Sequence, residues 1–183
     1  VVGDAVRTLE VKAHQQGIEL TSHVPIGLPA IVRGDPTRLR QILLNLIGNA
    51  IKFTEQGEVA VAVEEQWRSD EEIGLHFSVR DTGIGIPADQ LDAVFEAFKQ
   101  GDASTTRKYG GSGLGLTISS ELVRMMRGRI WVQSTVGRGS TFHFTIRLQW
   151  SAAPAVVPAQ TPATMPRALP RPMEANEGPQ QAS

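Results

Sequence analysis

Two asparagines and a lysine recur one helical turn apart in the segment DPTRLRQILLNLIGNAIKFT: Asn45, Asn49 and Lys52. At 100° per residue they fall within about 60° of one another. They flank an apolar stripe made of Leu39, Ile42, Leu43, Leu46, Ile47, Ala50 and Phe53. A helix that needs only solubility carries Glu and Lys at such an edge, whereas Asn is a poor helix former and suggests a ligand. An amide oxygen suits Mg²⁺ when phosphates and water complete its octahedron, and Lys52 is long enough to reach a phosphate. Capping or hydrogen bonding inside the core is the other reading, and this helix alone does not separate the two.

A second group centres on Asp81. Ile73, Leu75, Phe77 and Val79 alternate with a period of two, and continuing the pattern puts Asp81 in phase with the buried face. A carboxylate aimed inward at the end of a strand needs a donor. The segment TGIGI follows, where Gly83 and Gly85 let another group approach the backbone closely. An adenine amino group suits such an acceptor, which also rejects the carbonyl of guanine. A simple Asx-type turn is the alternative.

GIGIPA formally fits the dinucleotide fingerprint, but Pro87 starts the helix too late and no second strand ends in an acidic residue about 20 positions on. A P-loop fails because neither glycine cluster precedes Lys-Ser or Lys-Thr. Farther along, KQGDASTTRKYGGSGLG is too glycine-dense for regular structure and reads as a mobile loop. Where Gly113, Leu114 and Gly115 run into the next helix, free backbone N–H groups offer a phosphate site. Arg107 and Lys108 add positive charge to that loop, or are simply solvated there. Phe95 and Phe98 look like core or hinge packing. His14 and His23 lie in a polar helix end and a turn, and His76 and His143 on polar strand faces. None has a partner at metal or triad spacing, so all four are expected at the surface.

These groups require elements to hold them. Val2, Val6, Leu9 and Ala13 predict a first helix over 1–16, stopped by Gly17 and followed by an alternating strand from Ile18 to Val24. Asp35-Pro36 reads as an N-cap followed by Pro at the first helical position. Val59, Val61 and Val63 mark one strand and the Ile73–Val79 alternation another, joined by the polar SDEE. A short helix is expected over about 88–98, a further helix over about 114–127, and strands over 129–134 and 141–148 around TVGRGS. This order predicts an α+β, two-layer α/β sandwich, a mixed sheet with helices on one face.

Composition narrows the rest. The 183 residues contain no Cys, which removes thiol nucleophiles, Cys-ligated zinc, iron–sulfur clusters and disulfides. A net charge of −1 leaves no footprint for nonspecific nucleic-acid binding. No apolar run approaches the roughly 18 residues of a membrane span, so no membrane contact is expected. The opening VVGDAVRTLE has neither a basic leader region nor Met, and the chain reads as a piece of something longer. From Ser151 on, seven of the eleven prolines fall in 33 residues without an aromatic, which predicts a folded unit over 1–150 and a disordered, Pro-rich linker or tail over 151–183.

Taken together, the chain closely resembles the catalytic and ATP-binding domain of sensor histidine kinases over roughly 1–149. DPTRLRQILLNLIGNAIKFT is similar to the N box, DTGIGI to the first glycine box, FEAF to the F box and GGSGLGL to the second glycine box, in the family's order; GRGSTF resembles its closing segment. The resemblance implies the Bergerat ATP-binding sandwich, with ATP and Mg²⁺ as cofactors. It implies Asn49 as the Mg²⁺ ligand, Asn45 and Lys52 on the phosphate side, Asp81 as adenine reader and Gly83 and Gly85 as the adenine-side turn. It also implies a lid over 99–112, with Gly111, Gly113 and Gly115 around the phosphates.

ATP-hydrolysing members of the superfamily carry a Glu one turn before the metal Asn, where this chain has Asn45. An amide is no general base, which favours transfer of the γ-phosphoryl group to an external nucleophile. The implied partners are a His-bearing dimerisation hairpin of the same, homodimeric parent and, because of the Pro-rich tail, a receiver domain or response regulator of a hybrid kinase. The implied location of this piece is cytoplasmic, whether or not the parent is anchored in a membrane.

Overall fold

The structure is a computed structural model and describes residues 1–29, 31–95 and 114–150. The first helix, α1, spans Val2–Gln15, and Gly17, at φ +69°, turns the chain into strand β1, Ile18–His23. Helix α2, Pro36–Phe53, begins where the sequence signals it. Asp35 is the N-cap, and its carboxylate accepts from the backbone N–H groups of Thr37 and Arg38, both at 3.0 Å. Strands β2, Gly57–Arg68, and β3, Glu72–Asp81, form a hairpin closed at Ser69, whose N–H donates to the Glu72 carbonyl at 2.8 Å. Helix α3, Leu114–Met125, precedes the hairpin of β4, Ile130–Thr135, and β5, Gly139–Gln149.

The five strands lie in the order β1-β2-β3-β5-β4. β1 pairs with β2 in parallel and every other pair is antiparallel, so the sheet is mixed. The parallel pair requires a crossover, which α2 supplies. Alternation along the strands separates two faces. Val59, Val61 and Val63 of β2, Ile73, Leu75, Phe77 and Val79 of β3, and Phe142, Phe144, Ile146 and Leu148 of β5 are all buried. They meet Ile42, Leu43, Leu46, Ile47 and Ile51 of α2 in one core, where the Phe77 and Phe144 rings stack at 4.6 Å. Each fully buried side chain of this size contributes about 1.5–3 kcal/mol relative to exposure.

The helix expected over 88–98 is not formed in its described part. Ala88–Gln90 and Ala93–Phe95 are two separate 3-10 turns, held by N–H to carbonyl bonds such as Gln90 to Pro87 at 3.0 Å. Neither turn has a buried residue, so there is little packing to offset the cost of nucleating a longer helix. Phe95 packs edge-on against Phe142 at 6.2 Å, in keeping with a packing role. Phe98, Arg107, Lys108, Gly111, Gly113 and the tail over 151–183 lie outside the described residues. Among the described residues, no helix is long and apolar enough to cross a membrane.

Candidate nucleotide-binding site

The strand register settles the orientation of Asp81. It stands opposite Val59, a fully buried residue, and is itself only 5% exposed. Its Oδ1 accepts from the backbone N–H of Gly83 at 2.9 Å and of Ser140 at 3.2 Å. Burial raises the carboxyl pKa above the ordinary aspartate value, and these two N–H groups oppose the rise. An ionised carboxylate has about four acceptor sites, so two backbone bonds leave capacity for an incoming donor.

The turn after Asp81 is clamped from three sides. Ile84 N–H donates to the Phe53 carbonyl at the end of α2, and the Thr82 hydroxyl accepts from Glu58 N–H at the start of β2. The β4–β5 hairpin closes the third side, where Gly137 N–H donates to the Ile84 carbonyl at 2.8 Å and Ile86 N–H to Ser134 Oγ at 2.7 Å. Both glycines are there for contact: a Cβ on Gly83 would stand 2.2 Å from the Phe53 carbonyl oxygen, and one on Gly85, at φ +73°, 2.3 Å from that of Thr135.

Midway along α2, Asn45 turns toward α3. Its Nδ2 donates to the Gly115 carbonyl at 3.2 Å and the Ser119 hydroxyl at 3.3 Å, tying the N box to the first turns of the helix that Leu114 begins. Asn49, one turn farther, is half-buried, and a Cβ on the adjacent Gly48 would meet no atom of the described residues within 4 Å. The Lys52 ammonium lies 4.8 Å from the Phe53 ring centroid, and burial, followed by repulsion from Lys12, lowers its pKa. An amide oxygen and an ammonium beside a helix N-terminus fit, in kind, a polyphosphate carrying a hard divalent cation.

Sequence reasoning missed the clamps. Ser119 and Ser134 carry no signal of their own, because they act through hydrogen bonds to residues 74 and 48 positions away. Ser140 falls inside the segment GRGSTF, where its backbone contact to Asp81 was not legible. A depression of about 570 Å³ lined by Asp4, Arg7, Thr8 and Arg40 is a weaker site than this one. It lies wide open between α1 and α2, its arginines already engage Asp4 and Thr8, and Asp81 is not among its lining residues.

A mixed sheet backed by helices, with a buried carboxylate at a strand end and a helix N-terminus facing an asparagine-bearing helix, defines an ATP-binding α/β sandwich. The family described as Histidine kinase-, DNA gyrase B-, and HSP90-like ATPase matches residues 34–149, and the chain belongs to it. Among its relatives, the signal transduction histidine-protein kinase BarA of Escherichia coli is 46% identical over 145 residues, covering 79% of this chain and 16% of that protein. The sensor histidine kinase AruS of Pseudomonas aeruginosa is 48% identical over 145 residues, covering 79% and 14%. Hybrid signal transduction histidine kinase L of Dictyostelium discoideum is 44% identical over 142 residues, covering 77% and 8%. The chain therefore spans a sixth or less of these curated relatives. Full-length ShkA in complex with AMPPNP superposes with a TM-score of 0.70 at 38% identity, over 83% of this chain and 30% of that one. The nucleotide-free catalytic domain of histidine kinase ThkA gives 0.66 at 26% identity, over 79% and 88%. The described domain is thus of the histidine kinase catalytic, ATP-binding type.

Proposed function

We propose that this domain holds Mg²⁺-ATP between Asp81 and the α2–α3 junction and passes the γ-phosphoryl group to a histidine elsewhere in its parent protein. Asp81 accepts from the adenine amino group, with Gly83 and Gly85 leaving room for the base. Asn49 holds the Mg²⁺ ion through its amide oxygen, and the ion supplies charge neutralisation on the phosphates. Lys52 adds a cation at the phosphate end. Asn45 acts as a positioning residue, holding the α3 N-terminus at Leu114 and Gly115 against the phosphates. Arg107, Lys108, Gly111 and Gly113 complete the phosphate side in this reading. The bond between the γ-phosphorus and the β–γ bridging oxygen breaks, ADP leaves, and a P–N bond forms at the acceptor imidazole, which gives up its N–H proton.

The observation that carries transfer over hydrolysis is that α2 contains no Asp or Glu anywhere from Pro36 to Phe53. No carboxylate on that helix can activate a water molecule, and both amide hydrogens of Asn45 are engaged by α3. Kinase names among the relatives support the same choice. The hybrid relative supports a parent in which the Pro-rich segment 151–183 tethers the unit 1–150 to a receiver domain. Incubation with γ-labelled ATP and Mg²⁺, with and without the parent's histidine-bearing hairpin, tests the assignment. Acid-labile label on the hairpin is expected; free phosphate released equally without the hairpin would instead mark a hydrolase.

A further inference from the structure

The open face of the sheet, opposite the helices, carries a side-chain cluster that the nucleotide site does not use. Strand pairing sets Ser78 against His143 and His76 against Thr145, so the two histidines are diagonal neighbours on β3 and β5. Their rings lie within 14° of parallel and bring His76 Nε2 to 3.1 Å from His143 Nδ1. This corrects the expectation of four isolated surface histidines: 67 residues separate the pair in the chain, and only the register joins them.

Each outer nitrogen faces an oxygen on a neighbouring strand. Glu64, opposite His76 on β2, places Oε2 3.6 Å from His76 Nδ1. Gln133 on β4 offers Oε1 to His143 Nε2 at 3.3 Å. A carboxylate and an amide oxygen both favour an N–H at the ring nitrogen they face. With Gln133 holding the proton on His143 Nε2, His143 Nδ1 presents its lone pair to His76 Nε2, and the 3.1 Å contact is an N–H···N bond while His76 carries its proton on Nε2; with that proton on Nδ1, the side that Glu64 faces, two lone pairs converge and a metal cation can take the proton's place. Two imidazole nitrogens bound at 2.0–2.1 Å to one ion subtend a separation of 3.1 Å at an angle of about 95–100°, between square and tetrahedral values. The face is open enough for water to fill remaining positions, since His76 is half-buried and Gln133 exposed. Trp131 lies parallel to both rings, at 5.5 Å from His76 and 5.1 Å from His143, with the Arg129 guanidinium over it at 4.5 Å.

We propose that His76 Nε2 and His143 Nδ1 form a two-imidazole chelate for a divalent late first-row transition ion on the open face of the sheet, with Glu64 and Gln133 holding the ring tautomers. Among the described residues no cluster of three or more His, Asp or Glu side chains is arranged to hold a metal, so water must supply the other ligands. The carboxylate–imidazole–metal order, Glu64 behind His76, is the arrangement in which an outer carboxylate strengthens a ligand. The site is separate from the Mg²⁺ position proposed at Asn49, which lies on the helical side.

Calorimetric titration of the nucleotide-free chain with Zn²⁺, together with Cu²⁺ quenching of tryptophan fluorescence, tests this. One equivalent is expected to bind, with at least about a tenfold loss of affinity in either His76→Gln or His143→Gln and a smaller loss in Glu64→Gln. A His14→Gln/His23→Gln double variant should bind as the parent does, and Trp131→Phe should bind Cu²⁺ while losing most of the quench. ATP affinity should be unchanged in all of them. Equal binding in the His143→Gln variant, or no binding by the unsubstituted chain, overturns the proposal; in the latter case a proton shared by the pair, visible in imidazole ¹⁵N shifts, is the cation between the rings.

Discussion

In the proposed site, Asp81 is a single side chain that opposes stability and serves binding. Burial raises its pKa, so the folded state carries the full penalty for ionisation above the folded pKa and none below the unfolded value of about 3.9. The stability contribution of this group therefore falls as pH rises through that window. ATP affinity should change in the opposite sense, falling as pH drops through the folded pKa and a carboxylic acid replaces the acceptor. Asp81→Asn separates the two effects. Its amide oxygen can still accept from Gly83 and Ser140, but its NH₂ group faces the adenine amino group, donor against donor. The expected result is a melting temperature equal to or above that of the parent and a loss of ATP affinity of about 10–150-fold, the equivalent of a charged hydrogen bond of about 1.5–3 kcal/mol. Parallel melting and calorimetry on the purified variant check both halves, and undiminished ATP affinity would falsify the adenine assignment. The inward phase of Asp81 was legible in the sequence because strand alternation has a rigid period of two. Its partner Ser140, 59 positions away, was not.

At the scale of elements, the site is a set of clamps between α2, the turn after β3, the β4–β5 hairpin and α3. Elements whose signals are local could be read directly, as with α2, marked by Asp35, Pro36 and an apolar stripe. The segment over 88–98 misled, because helix formers alone do not make a helix without a face to bury. The Asn45 contacts to Gly115 and Ser119 join two helices and had no local signal at all. Asn45→Ala strands the Ser119 hydroxyl, which is fully buried, and should destabilise the domain by about 1–3 kcal/mol in urea titration. It should lower the rate of phosphoryl transfer more than nucleotide affinity. Two glycines make opposite predictions. Gly85→Ala forces a Cβ onto the Thr135 carbonyl at a positive φ and should cost more than about 1 kcal/mol, with weaker ATP binding. Gly48→Ala places a methyl group within α2 where no described residue lies within 4 Å and should stabilise by about 0.5–1 kcal/mol. If Gly48→Ala also weakens ATP binding, the nucleotide lies against this side of α2.

Across the whole described domain, one core of helix and strand side chains lies under a site that touches nearly every element around it. In the proposed reading β3 supplies Asp81, α2 the asparagines, the β4–β5 hairpin the turn contacts and α3 the phosphate end. A ligand there binds the folded state alone, because the unfolded chain has none of these elements in register. Linkage then requires ATP to raise stability by about 2.7 kcal/mol when it is present at 100 times its Kd. For a domain of this size about 2–4 °C accompanies each kcal/mol, so the melting temperature should rise by about 5–11 °C with Mg²⁺-ATP. GTP at the same concentration should give little shift, since the acceptor at Asp81 meets a carbonyl instead of an amino group. The shift should fall to about half or less in Asp81→Asn, in line with its roughly 10–150-fold weaker binding, and persist in full in His143→Gln, because the His76–His143 pair lies on the opposite sheet face. A shift that GTP matches would mean that the phosphate end alone provides the binding and that Asp81 reads no base; a shift lost in His143→Gln would mean that the two faces of the sheet are coupled through β5.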